Sequence, residues 1–171
     1  MRYGLISNPW RNWGPVGERV PIPKQMKFQW GYLWTEIDVL AGEVNVWLLP
    51  EMNGEGLSKV VAEMPEKWGN SVSLVWDNGG AHKSAAKCLP DGVSATFLPA
   101  YSPELNPVER FFQELRRRIA NRIFSSLQEL EDALVEAINE YYEDTDKVRQ
   151  LCGYPWILEQ LQTGDNDKLN C

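Results

Sequence analysis

The chain has 171 residues, of which 43% are apolar and 24% charged, a globular composition with enough length for one cored domain. No apolar run approaches the ~18 residues of a membrane span, and no signal-peptide pattern follows Met1. The net charge of −7 is unevenly placed: residues 126–171 hold 3 Lys/Arg against 11 Asp/Glu, whereas residues 1–125 hold 14 against 13, which leaves room for a basic face.

Arg2 to Ile6 reads as a strand. The following loop carries Trp10, Trp13 and Pro15. Trp is usually well buried, so both rings are expected over the sheet edge, with stacking on unpaired bases as the alternative. Residues 1–30 set Arg2, Arg11, Arg19, Lys24 and Lys27 against Glu18 alone, a solvated surface or a phosphate contact. Met26–Ile37 and Glu43–Leu49 form a hairpin around Asp38-Val39-Leu40-Ala41-Gly42. Asn53 caps a helix from about Gly54 to Met64, which Pro65 should stop.

Ser71–Trp76 is a short apolar strand closed by Asp77-Asn78-Gly79-Gly80, and Val93–Leu98 is another. Pro99, Pro103 and Pro107 then punctuate a loop leading to a helix. Asn106 suits the cap, Pro107 the first helical position and Glu109 the third. Val108, Phe111, Phe112, Leu115 and Ile119 make the buried stripe of this helix. Ser126-Leu127-Gln128-Glu129 is a capping box opening a helix to about Tyr142. Thr145 caps a further short helix ending before Gly153, and the polar tail after Gly164 is expected to fray. The order is βββαβαβα, an α/β chain with one domain over residues 1–161, helical from about 126, and a polar tail at 162–171. The cysteines, Cys88, Cys152 and Cys171, have neither metal spacing nor a disulfide framework, so a reducing cytoplasm is expected.

Two carboxylates stand out. Asp77 leaves a strand at its carboxyl end, where open α/β sheets bind ligands. Glu109 enters a helix after an interval of 31 residues. Each has a purely structural reading: an Asx turn for Asp77, and for Glu109 a capping box with Asn106. The functional reading is a pair of hard oxygen ligands for a divalent cation. Glu109, Gln113 and Arg116 share a helix stripe, and Arg110 and Arg117 form a further pair, so a guanidinium fork lies near Glu109. His82 is the sole histidine. Asn78 is placed to orient Asp77, Gly79 and Gly80 permit close backbone approach, and Lys83 precedes a short helix expected at Ser84.

DNGGAHKS followed by FLPAYSPELNPVERFFQELRRRI resembles the DDE transposases of the mariner superfamily, in particular their bacterial insertion-sequence branch. Weaker similarity runs from Met1 to about Leu161. The resemblance implies a ribonuclease-H-like mixed sheet flanked by helices, Mg²⁺ or Mn²⁺ at Asp77 and Glu109, and cleavage and joining of DNA at transposon ends and target. It also implies DNA contacts from His82, Lys83, Arg116 and Arg117, a homodimer in the intact protein, and a nucleoid-associated location. The family's first catalytic Asp falls in an Asp-Glu pair just ahead of a segment like Arg2-Tyr3-Gly4-Leu5-Ile6-Ser7. A truncated first strand, loss of that Asp and of a preceding helix-turn-helix, and weak or no activity are therefore expected. The alternatives are a DNA-binding or dimerising fragment that competes with intact transposase, and a nuclease for RNA–DNA hybrids.

Overall fold

A computed structural model describes residues 1–69 and 71–168, with side chains to residue 161. Its strands are β1 (Arg2–Ile6), β2 (Met26–Asp38), β3 (Glu43–Leu49), β4 (Val72–Trp76) and β5 (Val93–Phe97). Its helices are α1 (Gly54–Ala62), α2 (Met64–Trp68), α3 (Gly80–Ala85), α4 (Val108–Arg118), α5 (Leu127–Tyr142), α6 (Thr145–Cys152) and α7 (Pro155–Lys168). Among the described residues, no helix is long and apolar enough to cross a membrane.

The single mixed sheet expected from the sequence is replaced by two sheets. β1, β2 and β3 form an antiparallel meander, and β4 and β5 form a separate parallel pair. The described backbone makes no ladder between β1 and β4. Side chains join the sheets instead: the Trp34 and Trp76 rings meet edge to face with centroids 5.9 Å apart, a favoured aromatic geometry.

β2 is the wall between two cores, because its side chains alternate. Leu33 faces a core of Tyr3, Leu5, Val44, Phe111, Leu115, Leu134 and Val148. Trp34, one residue on, faces Leu57, Val61, Met64, Trp76 and Ala85. The α4 stripe read from the sequence, together with Leu130, Leu134 and Ile138 of α5, is thus the lid of the first core. Phe111, fully buried, meets the Tyr141 ring at 5.1 Å.

Local signals set most boundaries. Asn53 accepts the Gly56 N–H at 2.8 Å and starts α1. Pro65 does not stop that helix: α1 ends at Ala62, and Pro65 sits in the first turn of α2, where its missing N–H costs nothing. Ser126 accepts the Glu129 N–H, as a capping box requires, but the Glu129 carboxylate takes Ser125 instead. Asp144, rather than Thr145, caps α6. The backbone of 162–168 continues α7 in place of the frayed tail, and residues 169–171 lie outside the described residues.

The loop after β1 does not pack its tryptophans. Trp13 is 97% exposed, and Trp10 is about half exposed. The loop is held by its backbone: Asn121 accepts the Trp10 N–H at 2.9 Å, and the Asn8 amide donates to the Arg116 carbonyl at 2.9 Å. Asn121 adopts the left-handed conformation (φ 57°) just past α4, which Asn tolerates better than most residues.

Candidate two-carboxylate site

Asp77 follows the last residue of β4, and Glu109 is the second residue of α4. Both line one cavity of about 450 Å³, with Asn78, Gly79, Lys83, Tyr101, Ser102, Pro103 and Asn106 around them. The two acids expected to converge therefore share one cavity wall.

The structural readings of the two acids part company. Asp77 does close an Asx turn: its Oδ1 accepts the Gly79 N–H at 2.8 Å. The same oxygen meets His82 Nδ1 at 2.5 Å. No hydrogen bond from the described residues reaches Oδ2, and the side chain is 54% exposed. Glu109 makes no capping box, because the Asn106 N–H it would accept donates to the Pro103 carbonyl at 3.1 Å. Asn106 Oδ1 accepts the Val108 N–H at 3.1 Å, so the cap works without Glu109. α4 begins at Val108, with Pro107 as the residue just before it. Among the described residues, the Glu109 carboxylate makes one ion pair, with Arg116, whose Nη1 is 4.0 Å from Oε2.

His82 does not lie on the cavity wall. Its ring is 18% exposed and sits behind Asp77. The Trp34 ring is 5.3 Å away and the Trp76 ring 5.5 Å away, centroid to centroid. The geometry assigns His82 to Asp77 rather than to an outside partner. Lys83 lines the cavity, but it stands inside α3, which begins at Gly80, not ahead of a helix start at Ser84. Arg117 is taken by Glu114 through two bonds of 2.7 and 2.6 Å and lines neither this cavity nor the one beside Arg116. Asn78 donates its side-chain amide to the Leu98 carbonyl, tying the ends of β4 and β5 together.

The start of β1 lies in the same electrostatic field. Burial lowers the Met1 ammonium from 8.0 to about 6; Glu109 opposes this, Arg116 reinforces it and Asp77 opposes it. Glu36 is not in the site. It is buried on β2, where Oε1 accepts the Trp34 indole N–H at 2.8 Å and Oε2 accepts those of Trp68 and Asn45 at 2.7 and 3.0 Å.

Three participants escaped sequence reasoning. Trp34 and Trp76 clamp His82, and only the period-2 alternation of their strands hinted at an inward direction. Tyr101 is the third: it lines the cavity with a fully exposed ring and a left-handed backbone (φ 60°). A non-glycine residue in that region is strained, and such residues concentrate at functional loops.

Two exposed carboxylates, from a strand end and a helix start, fit a hard divalent cation that keeps part of its water shell. Among the described residues no group of three His, Cys, Asp or Glu side chains is placed to hold a metal. The fit is to a site with two protein carboxylates.

Comparison with known proteins agrees with this chemistry. The chain is 28% identical over 130 residues, 74% of its length, to "Uncharacterized protein y4pE/y4sA" of Sinorhizobium fredii (strain NBRC 101917 / NGR234), and the match covers 96% of that protein. The family pattern described as "DDE superfamily endonuclease" matches residues 2–131, which takes in Asp77 and Glu109. The chain belongs to the DDE superfamily endonuclease family.

Proposed function

We propose that this chain is a transposase catalytic domain of the mariner-like, insertion-sequence type, acting on DNA strands at transposon ends. The observation that carries the reading is the convergence of Asp77 and Glu109 on one cavity while neither has its outward oxygen consumed by the fold. Family membership supplies the reaction class, endonucleolytic DNA cleavage.

Asp77 and Glu109 would hold Mg²⁺ or Mn²⁺. Such an ion supplies Lewis acidity at the scissile phosphoryl group. The chain's own residues do the rest. His82 and the Gly79 N–H fix one Asp77 oxygen and leave the other without a hydrogen bond. Arg116 balances Glu109 and offers a cation to the DNA strand. Lys83 adds a second cation on the cavity wall. The Asn78 bond to Leu98 keeps the loop that carries Tyr101 to Asn106 beside Asp77. With its substrate, such a protein works at the nucleoid, and a second copy would serve the second transposon end.

The test is nicking of supercoiled plasmid with Mg²⁺ or Mn²⁺, together with Mn²⁺ binding followed by electron paramagnetic resonance. The expected result is Mn²⁺ binding with at most weak nicking by the wild-type chain, the nicking abolished by chelation, and both lost in Asp77→Asn and in Glu109→Gln. Nicking that survives both substitutions, or a wild-type chain that binds no Mn²⁺, would sink the reading. Preference for an RNA–DNA hybrid over duplex DNA would move it to another class of nuclease.

A further inference from the structure

A second cavity, of about 240 Å³, opens on the far side of Arg116. Its walls include Arg2, Arg116 and Arg122, and no Asp or Glu lines it. The three guanidiniums come from three places in the sequence: the first strand, the last turn of α4 and the segment after it. Among the described residues, none of the three donates a hydrogen bond. Arg2 and Arg122 instead lie over aromatic rings, Arg2 5.5 Å from the Trp30 centroid and Arg122 4.9 Å from that of Phe124. Arg116 has only Glu109, at 4.0 Å.

The other arginines of this region show what a structural role looks like. Arg117 is forked onto Glu114, and Arg118 bridges Glu114 and Glu140 with bonds of 2.8 to 2.9 Å. Arg149 holds the carbonyls of Leu40 and Ala41. The fold satisfies those groups and leaves Arg2, Arg116 and Arg122 with free donors turned to one hollow. Three cations kept close with no neutralising acid on the walls repel one another, so the arrangement gains when an anion enters. Arg122 acts electrostatically on Glu129, whose carboxylate is already engaged by the Ser125 N–H and hydroxyl.

The polar neighbours are spoken for. Gln25 exchanges hydrogen bonds with the Phe124 backbone, and the Asn8 amide holds the Arg116 carbonyl. These contacts fix the walls without competing for the guanidiniums. Planar forks of this kind match the oxygen geometry of a phosphate group. The Trp30 ring, 42% exposed, stands on the same wall and offers a stacking surface beside the anion.

We propose that the Arg2–Arg116–Arg122 cavity is a phosphodiester subsite that grips a DNA backbone phosphate next to the one presented to Asp77 and Glu109. This rests on the reading of that pair as a DNA-cleaving site. Arg116 lines this hollow and meets the other site only through Glu109, 4.0 Å away, and that contact sets the register between the gripped phosphate and the reacting one.

The experiment is DNA binding by fluorescence anisotropy over a salt series, with chelator present so that no metal contributes. The chains compared are the wild type, the Arg2→Gln/Arg122→Gln double variant and Lys59→Gln. Lys59 is an exposed cation on α1 paired with Glu55, so its loss controls for removal of a surface charge away from the cavity. The expected result for the double variant is ~10-fold weaker binding at low salt and a log–log salt slope smaller by about 0.9, the value of one phosphate contact. Lys59→Gln should match the wild type. A double variant that binds with the wild-type affinity and slope overturns the proposal. Displacement of DNA by inorganic phosphate at an equal concentration of phosphate groups also overturns it, since the cavity would then take a free anion. The outcome separates from that of the plasmid assay. An unchanged slope with nicking still lost in Asp77→Asn removes the subsite alone, whereas a reduced slope with nicking indifferent to Asp77→Asn keeps the subsite and removes the carboxylate reading.

Discussion

His82 presents Nδ1 to Asp77 Oδ1 at 2.5 Å while its ring packs against both Trp34 and Trp76, which also touch each other. This packing restricts the imidazole, so the carboxylate it meets is held in one orientation. Replacing His82 by Phe keeps a ring against the two tryptophans and removes the nitrogen. The expected result is a folded chain whose Mn²⁺ affinity falls ~10–100-fold, the range seen when an outer partner of a ligand is lost. Titration of Mn²⁺ into wild type and variant at equal Tm checks this; equal affinities would show that the contact does not orient Asp77.

Gly79 guards the same contact. A Cβ built there would lie 2.9 Å from Asp77 Oδ1 and 3.2 Å from His82 Nδ1, so one of the two must move. Gly79→Ala should lower plasmid nicking by about 10²-fold, the effect of an ångström-scale misplacement. Thermal unfolding should change little, because the residue lies in an exposed turn. A fully active Gly79→Ala chain would mean that the Asp77 orientation is not limiting.

Glu36 is a different kind of carboxylate. It accepts two indole N–H groups and one amide inside the fold. Glu36→Ala leaves those donors without acceptors, and buried unpaired donors cost ~1–3 kcal/mol each. Urea unfolding should show a loss of ~2–4 kcal/mol with the m-value unchanged. Glu36→Gln, which keeps an acceptor oxygen, should lose less. The reverse order would mean that charge, not hydrogen bonding, is what Glu36 supplies.

Acid should weaken the α4–α5 junction through Glu114. Hydrogen bonds from Arg117, and next Arg118, hold its carboxyl below the usual range against the opposing effect of burial. The folded chain therefore binds this proton less readily than the unfolded chain does. The stabilisation is complete above the unfolded value of about 4.3 and fades as pH falls through the lower folded value. Glu114→Gln should cost about 1 kcal/mol near neutrality, given its partly exposed partners. The Tm gap to wild type should be constant from pH 6 to 8 and close in acid. A gap that widens in acid would contradict this assignment.

Read from residues alone, the chain already yields its five strands in order, the helices α1, α4, α5 and α6 but not α2 or α7, the stripe that buries α4, and the placement of Asp77 at a strand end and Glu109 at a helix start. Those follow from local rules: side-chain period, capping groups and prolines act over a few residues and are written in consecutive positions. Tertiary structure decided the rest. Whether Glu109 would cap its own helix depended on the Pro103 carbonyl taking the Asn106 N–H first. Whether His82 would meet an outside partner depended on Trp34, 48 positions away in the sequence and brought over it by the hairpin. The division into two sheets, the exposure of Trp13 and the gathering of Arg2, Arg116 and Arg122 around one hollow likewise depend on pairs distant in the chain. Such contacts are set by which buried surfaces close on one another, and no local periodicity encodes that choice.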